Sequence, residues 1–130
     1  KEDGNVVFVN QFRYAFNKVT LEAPAGKLDK GELPLDAAKR ELREETGLSA
    51  NNIVYLGEMY TTPALIDEII HLYLATDLVS GEQDLDADEF INVIEIPLNE
   101  AEEMVMNGLI KDSKTQTLIL KASRYLNSRK

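Results

Sequence analysis

The chain has 130 residues and a net charge of −9, and it contains no cysteine. This length suits a single domain over residues 1–130, and the lack of thiols excludes disulfides, cysteine catalysis and cysteine-ligated zinc. The negative charge disfavours nucleic acid and anionic membranes as partners, and no apolar run is long enough to span a membrane. Since a lack of cysteine fits a reducing compartment, we expect a cytoplasmic protein.

The first half of the chain contains signals for two strands and a helix. β-branched residues predict strands over Asn5–Gln11 and Val19–Leu21, and Pro24 breaks the second of them. A helix is predicted to begin at Pro34, because proline suits the first helical turn, and to end at Gly47, a common C-terminal stop.

The second half continues with three strands and two helices. Strands are predicted over Asn52–Met59, Glu68–Leu78 and Phe90–Ile96, with an acidic loop over Ser80–Asp88. The helices are expected from a capping box at Asn99 and Glu102 and from a cap at Asp112-Ser113. Strands mixed with helices, without strict βαβ alternation, indicate an α/β/α or α+β layered fold.

Three acids share one side of the helix that begins at Pro34. Glu41 and Glu45 are four residues apart, and Glu44 joins them at a spacing of three. Like charges at this spacing destabilise a bare helix, so a cation should offset them. Hard carboxylate oxygens suit Mg²⁺ or Mn²⁺, which bind a few carboxylates together with substrate phosphates. The alternative is a solvated helix with many salt bridges.

The whole stretch of residues 26–48 resembles a known motif, the Nudix box Gly-x5-Glu-x7-Arg-Glu-apolar-x-Glu-Glu-x-Gly-apolar. All nine specified positions agree, namely Gly26, Glu32, Arg40, Glu41, Leu42, Glu44, Glu45, Gly47 and Leu48. The chain is therefore similar to Nudix hydrolases. This resemblance implies an α/β fold, the Nudix α/β/α sandwich with a mixed sheet, and metal-dependent cleavage of a nucleoside diphosphate linked to another group.

The resemblance also implies roles for the residues of the box. Glu41 and Glu45 would be metal ligands, together with the backbone carbonyl of Ala25, and Glu44 would assist catalysis. The expected cofactor is Mg²⁺, with Mn²⁺ as an alternative. Glu32 would pair with an arginine of the box, Arg40, and brace the loop.

The flanks of the box resemble the ADP-ribose pyrophosphatase branch of the family. Pro63 lies 16 residues after Gly47, as that branch requires. By this resemblance Arg13, Glu22, Pro63 and Glu68 would contact the substrate, although Arg13 could also be a surface cation that ends a strand. The implied reaction converts ADP-ribose and water into AMP and ribose 5-phosphate. A nucleotide sugar or dinucleotide substrate, or a non-catalytic ligand-binding module, are the alternatives.

The acidic loop is expected to supply the catalytic base. Glu89 is the first candidate, followed by Asp88 and Asp86. Relatives often carry an acid at the position of Ala87 and glycine at that of Ala64, and these departures could change activity or substrate preference. A solvated acidic loop remains an alternative.

A calcium loop is another interpretation of the same segment. It would begin at Asp84, with Glu95 at its twelfth position. Glu89 stands where such a loop requires glycine, and the following residues resemble a strand, so this interpretation is disfavoured.

The resemblance further implies a strand and an N-terminal subdomain ahead of Asn5, whose strands exchange across a homodimer. We therefore expect this segment to be missing before Lys1, and the full-length protein to be a homodimer. A sheet that lacks a strand exposes an unpaired edge, so residues 1–130 alone should be poorly stable or should associate.

Overall fold

The computed structural model describes all 130 residues of the chain. Its elements in chain order are β1 Asn5–Arg13, β2 Lys18–Glu22, α1 Pro34–Thr46, β3 Leu48–Tyr60, β4 Ile69–Ser80, β5 Ile91–Pro97, α2 Leu98–Met106 and α3 Ser113–Asn127. Every predicted strand and helix is present. None of the helices combines the length and the apolar character that a membrane crossing needs.

The strands form two antiparallel sheets. One has the order β2-β1-β5, and the other is the hairpin of β3 and β4. All three pairings are antiparallel, so the parallel pairs expected of a mixed sheet do not form among these residues. The physical reason is the connectivity: two pairings are hairpins between consecutive strands, and β5 runs back along β1.

Two boundaries differ from the sequence-based expectation. Strand β3 begins at Leu48, before the predicted Asn52, because the ladder continues until Leu48 pairs with Ser80. The predicted capping box of α2 is wrong, since Pro97 occupies the N-cap position and makes no side-chain hydrogen bond to the helix. Asn99 therefore lies inside the first turn, where it cannot cap the helix.

The ends of the other two helices follow the sequence signals. Helix α1 carries Pro34 in its first turn and ends at Gly47, whose φ of 72° is left-handed and favours glycine. The N–H of Gly47 donates to the Arg43 carbonyl at 2.8 Å. Helix α3 is capped by Asp112, whose carboxylate accepts a hydrogen bond from the N–H of Thr115.

The main core lies between β1 and the two C-terminal helices. Its buried members are Phe8, Ala101, Val105, Ile110 and Ile119. Helix α1 packs instead against β3, β4 and β5. The acids of α1 therefore lie beside the sheets rather than inside this core.

We expect Phe8→Ala to lower the free energy of unfolding by about 3–5 kcal/mol, because it leaves a cavity where Phe8 is fully buried. Urea denaturation measures the change. The matched control is Phe16→Ala, since Phe16 is 74% exposed and its loss should change stability by about 0.5 kcal/mol or less. Equal losses in the two variants would contradict the assignment of the core.

Candidate functional site

Arg40 is the centre of the loop and helix that the box forms. Its guanidinium donates hydrogen bonds to Glu32 at 2.8 and 3.0 Å and to the Lys27 carbonyl at 2.9 Å. The hydrogen bond from Arg40, together with one from the Asp29 N–H, lowers the pKa of Glu32 to about 2. The expected pairing of Glu32 with Arg40 is thus confirmed, and it ties the loop to α1.

The same guanidinium also contacts two of the three clustered acids. Its Nη1 donates to Glu41 at 2.8 Å and to Glu44 at 3.1 Å. Glu44 has a second, longer contact of 3.8 Å with Arg43. One cation is thus shared among Glu32, Glu41 and Glu44, so it compensates each of them only in part.

Glu45 is the buried member of the cluster. It is 3% exposed and has no salt bridge, although it accepts a hydrogen bond from the Ala25 N–H at 3.1 Å. Burial, together with the charges of Glu41 and Glu89, raises the pKa of Glu45 to about 7, and that hydrogen bond only partly opposes the increase. A buried carboxylate in such surroundings calls for a cation.

The backbone at Gly26 lies directly against the Glu41 carboxylate. A Cβ built on Gly26 would overlap the carboxylate atoms of Glu41, so a larger residue here would displace that side chain. Burial raises the pKa of Glu41, and the charges of Glu44 and Glu89 add to the increase while Arg40 opposes it. The loop of the box and the acids of α1 thus form one continuous surface.

These residues fit a hard divalent cation in their chemistry. No three Asp, Glu, His or Cys side chains already converge on one metal position, because Glu41 and Glu44 lie on Arg40 instead. The donors are nevertheless carboxylate oxygens one helical turn apart, and Glu41 and Glu45 both have a raised pKa. A cation between them would relieve a repulsion that Arg40 relieves only in part.

The acidic loop brings Glu89 near this cluster. Its carboxylate accepts a hydrogen bond from the Asp86 N–H at 3.0 Å, and its charge contributes to the raised pKa of both Glu41 and Glu45. Asp86 and Asp88 are exposed, whereas Glu89 is partly buried. The structure therefore supports Glu89 ahead of the other two as the acid that faces the cluster.

The calcium-loop interpretation is wrong. Residues Ile91–Pro97 form β5, which pairs with β1, so no helix follows the acidic loop. Glu95, the residue that would complete such a loop, instead bonds to Lys1 at 2.6 Å.

Arg13 and Glu22, both predicted to contact substrate, bind each other. The Nε and Nη2 of Arg13 donate to the two carboxylate oxygens of Glu22 at 2.8 and 2.6 Å. Glu22 is 2% exposed, and it also accepts hydrogen bonds from Lys114, at 2.8 Å, and from Thr20. Burial alone would raise the pKa of Glu22, but the hydrogen bonds from Arg13, Lys114 and Thr20 lower it to about 2.

Lys114 and Thr115 also belong to this network, although neither of them was given a role from the sequence. Lys114 also bonds to Asp112 at 3.0 Å, and the Thr115 hydroxyl donates to Asp112 at 2.6 Å while it accepts from the Ala23 N–H at 2.8 Å. The start of α3 is thereby fixed to the segment that leads into the box. The only sequence signal in this region was the predicted helix cap at Asp112.

Pro63 and Glu68 lie in the loop that joins β3 to β4. This loop follows the pair Tyr60–Ile69, at the opposite end of the hairpin from the pair Leu48–Ser80. Neither residue has a side-chain hydrogen bond or salt bridge to the acids of α1. The structure thus shows no contact of Pro63 or Glu68 with the acids of α1, and their contact with substrate stays a prediction.

The opposite environments of the two buried glutamates lead to opposite pH dependences. For Glu22 the pKa of about 2 in the folded protein lies below the ordinary value of 4.5, so its stabilisation is present above pH 4.5 and is lost as the pH falls towards 2. This contribution amounts to about 3 kcal/mol. The deficit of Glu22→Gln relative to wild type should therefore shrink over this range in urea unfolding. Glu58→Gln, at an exposed carboxylate without a salt bridge, should show no such trend.

For Glu45 the sign is reversed. Its folded pKa of about 7 lies above 4.5, so its stabilisation is present below pH 4.5 and is lost as the pH rises through 7. In metal-free protein with a chelator, Glu45→Gln should therefore gain about 3 kcal/mol relative to wild type between pH 4.5 and 8. Added Mg²⁺ should stabilise wild type but not the variant. A difference that is independent of pH would contradict this environment for Glu45.

The chain is similar to several known proteins. The family described as NUDIX domain matches residues 1–116. An ADP-ribose pyrophosphatase of Bacillus subtilis (strain 168) is 40% identical over 116 residues, which are 88% of this chain and 63% of the relative. A methanol dehydrogenase activator of Bacillus methanolicus is 44% identical over 115 residues, 87% of this chain and 62% of the relative.

Other relatives are more distant. A GDP-mannose pyrophosphatase of Yersinia enterocolitica is 36% identical over 133 residues, covering 92% of this chain and 66% of the relative. A crystal structure of an ADP compounds hydrolase superposes with a TM-score of 0.89 over 98% of this chain and 69% of that chain, at 20% identity, which confirms the fold.

The chain spans somewhat less than two thirds of the length of these curated relatives. The family match itself covers most of the chain, including the whole of the box. Members of the family generally use a divalent metal ion, in agreement with the acids clustered on α1. The chain belongs to the Nudix family.

Proposed function

We propose that this Nudix chain hydrolyses the diphosphate bond of ADP-ribose to give AMP and ribose 5-phosphate, with Mg²⁺ as its cofactor and Mn²⁺ as a substitute. The observation that carries the proposal is the buried Glu45. Its carboxylate has no cationic partner, and it lies one helical turn from Glu41. The 40% identity to an ADP-ribose pyrophosphatase supports the choice of substrate.

In this proposal Glu41 and Glu45, with the Ala25 carbonyl, hold the metal. When bound, the metal neutralises the diphosphate and makes a water molecule more acidic. Glu89 takes up the proton of the attacking water, because it lies near the cluster but outside the contacts of Arg40. Glu44 assists from beside the ligands, held by Arg40.

We propose that Arg13 binds the substrate directly. Glu22 occupies its Nε and Nη2, which leaves Nη1 and the face of a half-exposed guanidinium free. A guanidinium can pair with phosphate and stack on adenine. Glu22 then acts mainly by orienting Arg13, while Pro63 and Glu68 would contact the substrate from the β3–β4 loop.

Two further parts of the proposal concern the whole protein. We propose a homodimer in the full-length protein, since the exposed aromatic residues Tyr14 and Phe16 lie on an edge hairpin that a partner could cover. We also propose a cytoplasmic location, since the lack of cysteine suits a reducing compartment.

A second candidate function follows from the relatives. The identity to a methanol dehydrogenase activator, 44%, exceeds that to the ADP-ribose pyrophosphatase, so an activating role toward another enzyme is open to this chain as well. The identity to a GDP-mannose pyrophosphatase makes a nucleotide sugar the second substrate to test.

The test is a substrate panel of ADP-ribose, GDP-mannose and a dinucleotide, with Mg²⁺, Mn²⁺ or chelator, in oxygen-18 water. Mass spectrometry should show AMP and ribose 5-phosphate from ADP-ribose with Mg²⁺ and no turnover with chelator. Glu45→Gln should lower kcat on the order of a hundredfold or more.

The matched control is Glu82→Gln, at an exposed acid without a side-chain hydrogen bond or salt bridge, which should keep full activity. Unchanged product formation by Glu45→Gln would refute the role of metal ligand. Turnover of GDP-mannose in preference to ADP-ribose would refute the proposed substrate.

A further inference from the structure

The acidic loop, together with the residues that lead from it into β5, is fixed to the C-terminal end of α1 by two hydrogen bonds. The Asp84 N–H donates to the Glu44 carbonyl at 2.9 Å, and the side-chain amide of Gln83 donates to the Glu45 carbonyl. The last carbonyls of a helix have no partner within the helix. Both hydrogen bonds therefore use acceptors that α1 leaves open.

Close backbone packing adds to these hydrogen bonds. A Cβ built on Gly47 would lie 2.8 Å from the Gly81 carbonyl oxygen, and one on Gly81 would lie 3.0 Å from the Gly47 carbonyl oxygen. The pair Leu48–Ser80 brings the two glycines to this position. The loop thus begins in contact with the end of α1.

The remaining link between the loop and α1 is weak. Arg43 and Asp84 approach to 3.8 Å with both side chains largely exposed, and such surface pairs contribute little. Gln83 therefore supplies the main side-chain contact of the loop with α1. Its donor is neutral, so it adds no charge to the acids.

Glu89, the acid that faces Glu41 and Glu45, lies near the end of this segment. Glu89 accepts the Asp86 N–H through its carboxylate and donates its own N–H to the Asp86 carbonyl, both at 3.0 Å. This local turn fixes Glu89 within the loop. Its place relative to Glu41 and Glu45 then depends on where the loop sits on α1.

We propose that Gln83 is a positioning residue, which places Glu89 at the acid cluster by holding the acidic loop on the C-terminal end of α1. The inference rests on the proposed function, in which Glu89 acts as the base. Gln83 contacts Glu45 only at the backbone carbonyl, so its effect on the reaction passes through the position of the loop.

The test uses Gln83→Met in the full chain, because methionine keeps the length of the side chain without the donor. Loss of one side-chain hydrogen bond should speed amide exchange at Asp84 and Glu89 about fivefold. We expect kcat for ADP-ribose to fall by a similar factor, while KM and Tm stay unchanged. The matched control is Glu82→Ala, which alters the neighbouring exposed residue and should leave all four quantities unchanged.

A double-mutant cycle shows whether Gln83 acts through Glu89. In the Glu89→Gln background, Gln83→Met should cause no further loss of kcat, because the residue that it positions is already disabled. The same fractional loss in both backgrounds would overturn the proposal, and so would unchanged exchange at both amides. If wild type fails to cleave ADP-ribose, the proposed function fails, and the exchange rates alone then decide whether Gln83 holds the loop.

Discussion

A carboxylate that is almost fully buried among other acids cannot stay ionised without compensation, and Glu45 is in this position. It is 3% exposed, it has one backbone hydrogen bond, and its pKa is raised to about 7. The rest of the site is arranged around that constraint. Gly26 leaves room for the neighbouring Glu41, and Arg40 compensates the other acids but does not reach Glu45.

Glu22 is a second buried carboxylate, but unlike Glu45 it is paired with cations. It is as buried as Glu45, yet Arg13, Lys114 and Thr20 lower its pKa to about 2. The two residues differ in their partners rather than in their burial. This contrast supports the proposed metal site at Glu45 rather than at Glu22, and it does so without reference to any motif.

The sequence predicts those parts of the site that depend on local spacing. The ends of α1 follow from Pro34 and Gly47, and the three acids share one side because a helix repeats every 3.6 residues. The box motif likewise predicts the pairing of Glu32 with Arg40, which are eight residues apart.

Contacts between distant parts of the chain could not be predicted in this way. Lys114 and Glu22 are 92 residues apart, and no spacing rule relates a residue of β2 to one of α3. The sequence therefore did not predict that Glu22 pairs with Arg13 and Lys114, and its contact with substrate stays a prediction. Nor did it predict that β3 begins at Leu48, because ladder pairing rather than side-chain type extends the strand.

The register of the β3–β4 hairpin determines where the loop that carries Glu89 begins. The pair Leu48–Ser80 places Gly47 beside Gly81, so the loop that carries Glu89 leaves the hairpin at the end of α1. A shift of one residue would turn every side chain of a strand to the opposite face and would move that exit point. The position of Glu89 thus depends on the whole ladder, and this explains why the acid of the loop was harder to identify from sequence than the acids of the helix.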